Sequence, residues 1–398
     1  MKLTKLMLSA FAAAVALVAC NKVETDPVPQ STSMKSVKIS LENVIMTKGE
    51  AGDKIKAGDA IQVNNFKLFL TDDSYSTVYP AKQYVTNPQT SQLEVVDAQT
   101  YFTVADLKSA KDVEYHFVDH KCTRVIAVAN TGDVSIADAK AYTTTVDKQQ
   151  DQKSLVLWAD SPLGSPVGNH DTAEHPDNTT YTEVYQVNVA LKPVISRFEV
   201  DGFVINFSTP TPKYNKIEVT DIAFIHYFPS FGFDFNTDRM LAKGTGTHVK
   251  PIANYDSQSD VFNWFNGATS TGWFRDSFTG LEMTPDDPAT AEFENRADTP
   301  KPLAYHFFSG EIVPAMFITL LADGNPAYVY TSTFKSQETG QALAHIEPGK
   351  IYRMSAAGEV DQVGGSVPIP DDLDPIKRCL DITVSVEPWV VDLITPEF

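Results

Sequence analysis

Short runs in which apolar and polar residues alternate recur along most of the chain. They cover residues 37–41, 66–70, 115–118, 125–129, 155–158, 184–191, 198–205, 217–228, 315–321, 328–334 and 380–386. A period of two places every second side chain on one face, as a half-buried β-strand requires. Clusters of Gly, Pro, Asn and Asp separate the runs at spacings typical of β-sandwiches. Helical periodicity is scarce. Residues 134–148 form the best helix candidate, with Asp133 as its N-cap. The pattern predicts an all-β protein, and its length suits two sandwich domains in tandem.

The N-terminus departs from that pattern. Lys2 and Lys5 precede an apolar run over residues 6–17, too short to span a bilayer as a helix, and Leu17-Val18-Ala19-Cys20 follows. Small residues ahead of a cysteine form a lipobox. The reading is a lipoprotein signal peptide over 1–19, removed to leave Cys20 carrying lipid. Several acyl chains on one cysteine would hold the precursor firmly to a membrane, at about 0.8 kcal/mol per buried CH₂. Residues 21–33 are polar and contain proline, as a tether would.

A net charge of −19 argues against nucleic acid as a partner and favours a solvated, surface-displayed protein. Of three cysteines, lipid uses Cys20, and Cys122 and Cys379 are too few and too far apart for a disulfide framework. Whether those two are free or bridged stays open. Their fold must rest on its core, which 42% hydrophobic residues can supply.

Two breaks organise the mature chain. Pro193 interrupts a strand-like run that restarts at Ile195. Residues 364–375 combine Gly364, Gly365, Pro368, Pro370, Asp371, Asp372, Asp374 and Pro375, which reads as an extended acidic linker unable to pack a core. The expected division is a lipid tether and first strand over 20–48, β-sandwich domains over 49–193 and 194–363, and a linker with a terminal strand over 364–398.

The two terminal strands share a pattern. Val37, Ile39 and Leu41 alternate with Lys38, Ser40 and Glu42; Leu380, Ile382, Val384 and Val386 alternate with Asp381, Thr383, Ser385 and Glu387, followed by Pro388 and Trp389. The plain explanation is that each is an edge strand of its own domain. The alternative is that they compete for one kind of groove: a terminal strand on a linker pairs with a neighbouring molecule by β-strand addition. Burying four such side chains would contribute roughly 6–12 kcal/mol at about 1.5–3 each. The groove would open by proteolysis in the small, polar loop after the first strand, where Lys48-Gly49 offers a site to a trypsin-like protease.

With these residues laid out, the chain resembles the fimbrillin (type V pilin) family of Bacteroides-type bacteria, the FimA-like and Mfa-like major fimbrial subunits. The resemblance rests on the lipobox followed by a strand and a Gly/Asp-containing loop, on residues 187–197, and on the ending from Leu380 to Trp389 with Glu397-Phe398. It implies two tandem transthyretin-like β-sandwich domains and export as a lipoprotein precursor. It also implies removal of the strand carrying Val37, Ile39 and Leu41, and polymerisation into cell-surface fimbriae by donor-strand exchange. Leu380, Ile382, Val384, Val386 and Trp389 would be the donor anchors. Partners would be other fimbrial subunits, the outer membrane through the precursor's lipid, and a host or bacterial surface receptor. Shaft subunits of the family are cut after arginine, whereas the basic residue here is Lys48. A different protease would account for that, and so would an uncut subunit retaining its lipid as a fimbrial anchor.

Candidates for chemistry are thin. His116, Asp119, His120 and Cys122 sit close in sequence, but extended spacing puts the two histidines about 13 Å apart at roughly 3.3 Å per residue. His170, Asp171, Glu174 and His175 lie in a polar loop. Neither a nucleophilic triad nor a phosphate-cradling Gly loop is visible. No metal, cofactor or enzymatic activity is expected. Phe262, Trp264, Phe265, Trp273, Phe274 and Phe278 concentrate aromatics in residues 255–278. Exposed, they would serve a surface glycan-binding lipoprotein; buried, they are core, which aromatics of this size favour.

Overall fold

The computed structural model describes residues 34–42, 61, 63–106, 112–151, 155–169, 183–200, 202–236, 239–245, 274–290, 303–355, 366–371, 373 and 379–388. Its strands, in chain order, are β1 (Met34–Glu42), β2 (Asn65–Thr71), β3 (Lys82–Thr86), β4 (Leu93–Asp97), β5 (Tyr101–Thr103), β6 (Asp112–Asp119), β7 (Arg124–Ala129), β8 (Thr143–Thr145), β9 (Leu157–Pro162), β10 (Gly168–Asn169), β11 (Glu183–Ala190) and β12 (Lys192–Pro193). They continue with β13 (Ile195–Val200), β14 (Gly202–Asn206), β15 (Ile217–Ile225), β16 (Ser230–Asn236), β17 (Arg239–Thr245), β18 (Phe274–Met283), β19 (Leu303–Phe308), β20 (Ala315–Ala322), β21 (Asn325–Ser336), β22 (Lys350–Ser355), β23 (Ser366–Pro370) and β24 (Cys379–Pro388). The chain is all-β, as the alternation predicts.

The N-terminal half builds a six-stranded sheet, β10-β11-β1-β6-β3-β4, and a five-stranded sheet, β12-β9-β7-β2-β5. Val37, Ile39 and Leu41 of the first join Phe66, Leu68, Leu70, Val125 and Ala127 of the second in one buried cluster. β7 is buried at every position, so it reads as a continuous apolar run. The C-terminal half is dominated by an eight-stranded sheet, β18-β15-β20-β21-β24-β22-β13-β19. Phe198 sits at its aromatic centre, stacked on Tyr352 at 5.0 Å and edge-on to Phe307 and Phe334 at 5.6 and 5.4 Å. Such pairs add about 0.5–1.5 kcal/mol each to the burial of the rings.

The helix candidate shrinks to α1 (Ile136–Lys140), and its N-cap is Ser135. The Ser135 hydroxyl accepts from the Asp138 amide while the Asp138 carboxylate receives the Ser135 amide and hydroxyl, a capping box. β8 follows because Thr143-Thr144-Thr145 is β-branched and pairs with β16 of the C-terminal half. That pairing makes a three-stranded sheet, β17-β16-β8, between the halves. Phe233 and Phe235 of β16 pack on Trp158 and Tyr75 at 6.2 and 5.2 Å.

A polar clamp reinforces the junction. His306 of β19 is buried and donates from Nδ1 to the Gln149 carbonyl at 2.7 Å, while Gln150 Nε2 donates to the His306 carbonyl at 2.9 Å. Arg197 Nη1 then donates to His306 Nε2 at 3.1 Å, and Arg197 Nε to the fully buried Glu199, which also holds Arg353 at 3.2 Å. Burial and the Arg197 charge push the His306 imidazole down to about 3, so it is neutral.

The reading of 364–375 as an unpacked linker fails for residues 366–371 and 373. Residues 366–370 form β23, parallel to β14, with Val367 and Ile369 fully buried. Asp371 accepts from the Ser208 amide at 2.6 Å and its hydroxyl at 2.9 Å, and Leu373 is buried. Prolines at 368 and 370 fit here because the strand belongs to a two-stranded sheet, where an edge tolerates residues without an N–H.

Candidate functional site

The two terminal strands are not edge strands, and this corrects the plain explanation of their pattern. β1 lies inside its sheet, parallel to β11 on one side and antiparallel to β6 on the other. β24 lies inside the eight-stranded sheet, parallel to β21 and antiparallel to β22. Each slot therefore offers one parallel and one antiparallel wall. A strand withdrawn from either would leave two unpaired edges and an open trench over the core.

The register of β1 is Val37↔Tyr185 and Ile39↔Val187 on β11, and Val37↔Tyr115 and Ile39↔Val113 on β6. Val37, Ile39 and Leu41 are buried at 0, 1 and 4% exposure, whereas Lys38 points to solvent and pairs with Glu114 at 3.3 Å. Burial of those three side chains contributes about 5–9 kcal/mol at roughly 1.5–3 each. In β24, Ile382 and Val384 are fully buried, and the backbone register sets Leu380 against Thr331 and Val386 against Tyr352. Cys20, Lys48, Gly49 and Trp389 lie outside the described residues.

The wall contributed by β6 carries a bulge. Lys35 opposes Val118 and Val37 opposes Tyr115, so Ser36 faces both His116 and Phe117. Phe117 takes φ 55°, a conformation disfavoured for a bulky residue and held here by the surrounding sheet. Ser36 is fully buried; its hydroxyl lies 3.1 Å from the Tyr115 carbonyl, 3.2 Å from Glu114 and 3.2 Å from His116 Nδ1.

Lys35 was not singled out by its sequence, and nothing in a polar-apolar pattern marks it. Its side chain is buried at 4% exposure. Nζ donates to the carbonyls of Cys122 and of His120 (3.2 Å to the latter) and stands 4.3 Å from the centre of the Tyr185 ring. Burial lowers its pKa, with Cys122, Glu183 and Asp119 acting the other way. Two carbonyls and a ring face make a cage for a cation.

The residues weighed for a metal site have other partners. His116 faces Ser36 and the Tyr84 ring, His120 pairs with Asp119 at 3.1 Å, and Cys122 donates to the Arg124 carbonyl at 3.6 Å. No group of three metal-ligating side chains converges among the described residues. Cys122 is a free, buried thiol whose pKa burial raises to about 11. His170 and His175, with Phe262, Trp264, Phe265 and Trp273, lie outside the described residues. Phe274 and Phe278 are half-buried and pack on Phe307 and Phe203 at 5.7 and 5.9 Å.

No protein-family model and no curated protein matches the chain. Solved structures do. A candidate cell adhesion protein from Parabacteroides distasonis aligns over 93% of this chain and all of its own, at 12% identity and a TM-score of 0.47. A fimbrilin from Porphyromonas gingivalis aligns over 90% of this chain and 98% of its own, at 12% identity and a TM-score of 0.44. A candidate cell adhesion protein from Bacteroides eggerthii aligns over 91% and 97%, at 15% identity and a TM-score of 0.40. The structural neighbours are fimbrial and cell adhesion proteins.

Proposed function

We propose that the chain is a non-enzymatic structural subunit of cell-surface fimbriae that polymerises by donor-strand exchange. The observation that carries this reading is the likeness of the two slots: β1 and β24 are both mid-sheet strands with one parallel and one antiparallel neighbour. A strand built for one slot has the hydrogen-bonding directions and the alternation to fill the other. The precursor, lipidated at Cys20, reaches the outer membrane and the cell surface. Cleavage between Lys48 and Gly49 then releases β1. The trench between β11 and β6 accepts β24 of the next subunit, and each subunit's own β24 goes forward in turn.

Filling the trench restores both ladders and covers the apolar floor once lined by Val37, Ile39 and Leu41. The exchange restores the ladders of the β1 slot at the expense of those β24 makes with β21 and β22, and it is difficult to reverse once the cleaved β1 has diffused away. The test is shearing of surface polymer from cells that express the full-length chain. A new N-terminus at Gly49 is expected, with oligomer ladders that vanish when residues 376–398 are deleted. Ladders that persist without that segment, or a terminus still blocked at lipidated Cys20 in polymer, overturn the reading.

A further inference from the structure

The cage around Lys35 bears on how an incoming strand is read. Three features of the β1 slot are selective along its length: a cation site at Lys35, a cramped buried position at Ser36 opposite the bulge, and apolar positions at Val37, Ile39 and Leu41. The sequence ahead of β24 can be laid against them. Arg378, Cys379, Leu380, Asp381, Ile382, Thr383 and Val384 follow the order of Lys35, Ser36, Val37, Lys38, Ile39, Ser40 and Leu41: a cation, a small residue, then aliphatic residues alternating with polar ones.

We infer that the Lys35 cage is a receptor site for Arg378 of a second copy of this chain, and that it fixes the register in which Leu380, Ile382 and Val384 replace Val37, Ile39 and Leu41. This rests on the donor-strand reading above. A guanidinium supplies several planar N–H donors for the carbonyls of His120 and Cys122 and stacks well on an aromatic face such as Tyr185. Cys379 is small enough for the position of Ser36.

The neighbouring registers fail on the same three features. Advancing the strand by two residues puts Leu380 into the cage, which leaves two carbonyls without their donor, and buries the Asp381 carboxylate beside Glu114 at the Ser36 position. Retreating by two puts Lys377 at the bulge and Arg378 over the apolar floor at Val37. A shift of one residue turns every aliphatic side chain to solvent. The register with Arg378 in the cage has one mismatch. Asp381 would stand where Lys38 pairs with Glu114, on the solvent face, where salt screens the repulsion.

Cross-linking reads the register directly. β1 sets Lys38 opposite Glu114, so in the inferred register Asp381 of the donor lies opposite Glu114 of the acceptor, whereas the register advanced by two places Thr383 there. In full-length chain carrying Cys379→Ser, with Cys122 buried, Glu114→Cys combined with Asp381→Cys should give disulfide-linked polymer on mild oxidation. Glu114→Cys combined with Thr383→Cys should not. Independently, Arg378→Leu should lower the yield of polymer roughly tenfold, the loss expected from one unsatisfied buried site, while Arg378→Lys restores most of it. Cross-links through Thr383, or equal cross-links through both, overturn the inferred register. Wild-type yield from Arg378→Leu overturns the role of the cage. Absence of any polymer from the unsubstituted chain falls on the donor-strand reading itself and takes the register with it.

Discussion

Ile39→Ala separates the part β1 plays in the precursor from its part in the polymer. Ile39 is 1% exposed, lies opposite Val187 on β11 and Val113 on β6, and belongs to the N-terminal core. Truncating a fully buried Ile removes its transfer free energy and leaves a cavity in a sheet that cannot collapse from either side, at a cost of about 2–5 kcal/mol. Against a typical domain stability of about 5–15 kcal/mol, that is a large fraction. Urea denaturation of the uncleaved precursor, followed by intrinsic fluorescence, should show the N-terminal transition moved to lower urea by that amount. Polymer assembled from the same variant should dissociate at the wild-type temperature on gels, because the altered strand has left. Ile382→Ala is the converse control: fully buried in β24, it weakens the precursor's C-terminal half and, in the acceptor trench, the polymer as well. A precursor shift below about 1 kcal/mol would deny β1 its place in the sheet. Polymer of Ile39→Ala that dissociates early would mean that β1 never leaves.

Two further outcomes follow from buried polar groups. Since burial and Arg197 push His306 from its ordinary 6.5 to about 3, the unfolded chain binds a proton there that the native chain refuses. The stability this group supports is complete above pH 6.5 and is lost as pH falls towards 3, by about 2 kcal/mol between pH 6.5 and 5; denaturation midpoints at pH 7 and pH 5 should therefore lie closer together in His306→Gln than in wild type, and an unchanged interval would refute the neutral, clamped imidazole. Asp371→Ala removes the acceptor of the Ser208 amide and hydroxyl, so it should cost about 1–3 kcal/mol and make residues 366–373 markedly more susceptible to proteolysis, with unaltered susceptibility counting against the latch.

The elements most legible in the sequence are those whose pattern is set by one-sided burial. Val37-Lys38-Ile39-Ser40-Leu41 and Leu380-Asp381-Ile382-Thr383-Val384 announce strands because each has one apolar face. Pattern alone cannot say whether such a strand sits at an edge or between two neighbours, since side-chain alternation is indifferent to ladder pairing; hence the mid-sheet placement of both is not legible in it. Residues 366–370 were hidden by their prolines, which weaken a strand signal although a two-stranded edge tolerates them. The helix expected over 134–148 is confined to Ile136–Lys140 because Thr143-Thr144-Thr145 favours pairing with β16, a long-range contact invisible locally. Lys35 was unreadable for a different reason. A buried lysine is rare, and its carbonyl partners come from the turn at 120–122, far away in sequence.

The anchoring of β23 has a mechanical side. Between the buried Leu373 and Arg378 lie only residues 374–377, a span of about 17 Å at full extension. In a polymer joined through β24, adjoining subunits would be held almost in contact, leaving little slack for a bead-and-string chain to bend. Tension along such a fibre would pass from β24 into β23, which runs parallel to β14 over the register Gly202↔Ser366 to Asn206↔Pro370. A force directed along that pair strains its ladder bonds together in shear, with no single bond at a peeling tip. A short strand in a proline-rich segment would thus set how stiff the fibre is and how much pull it withstands.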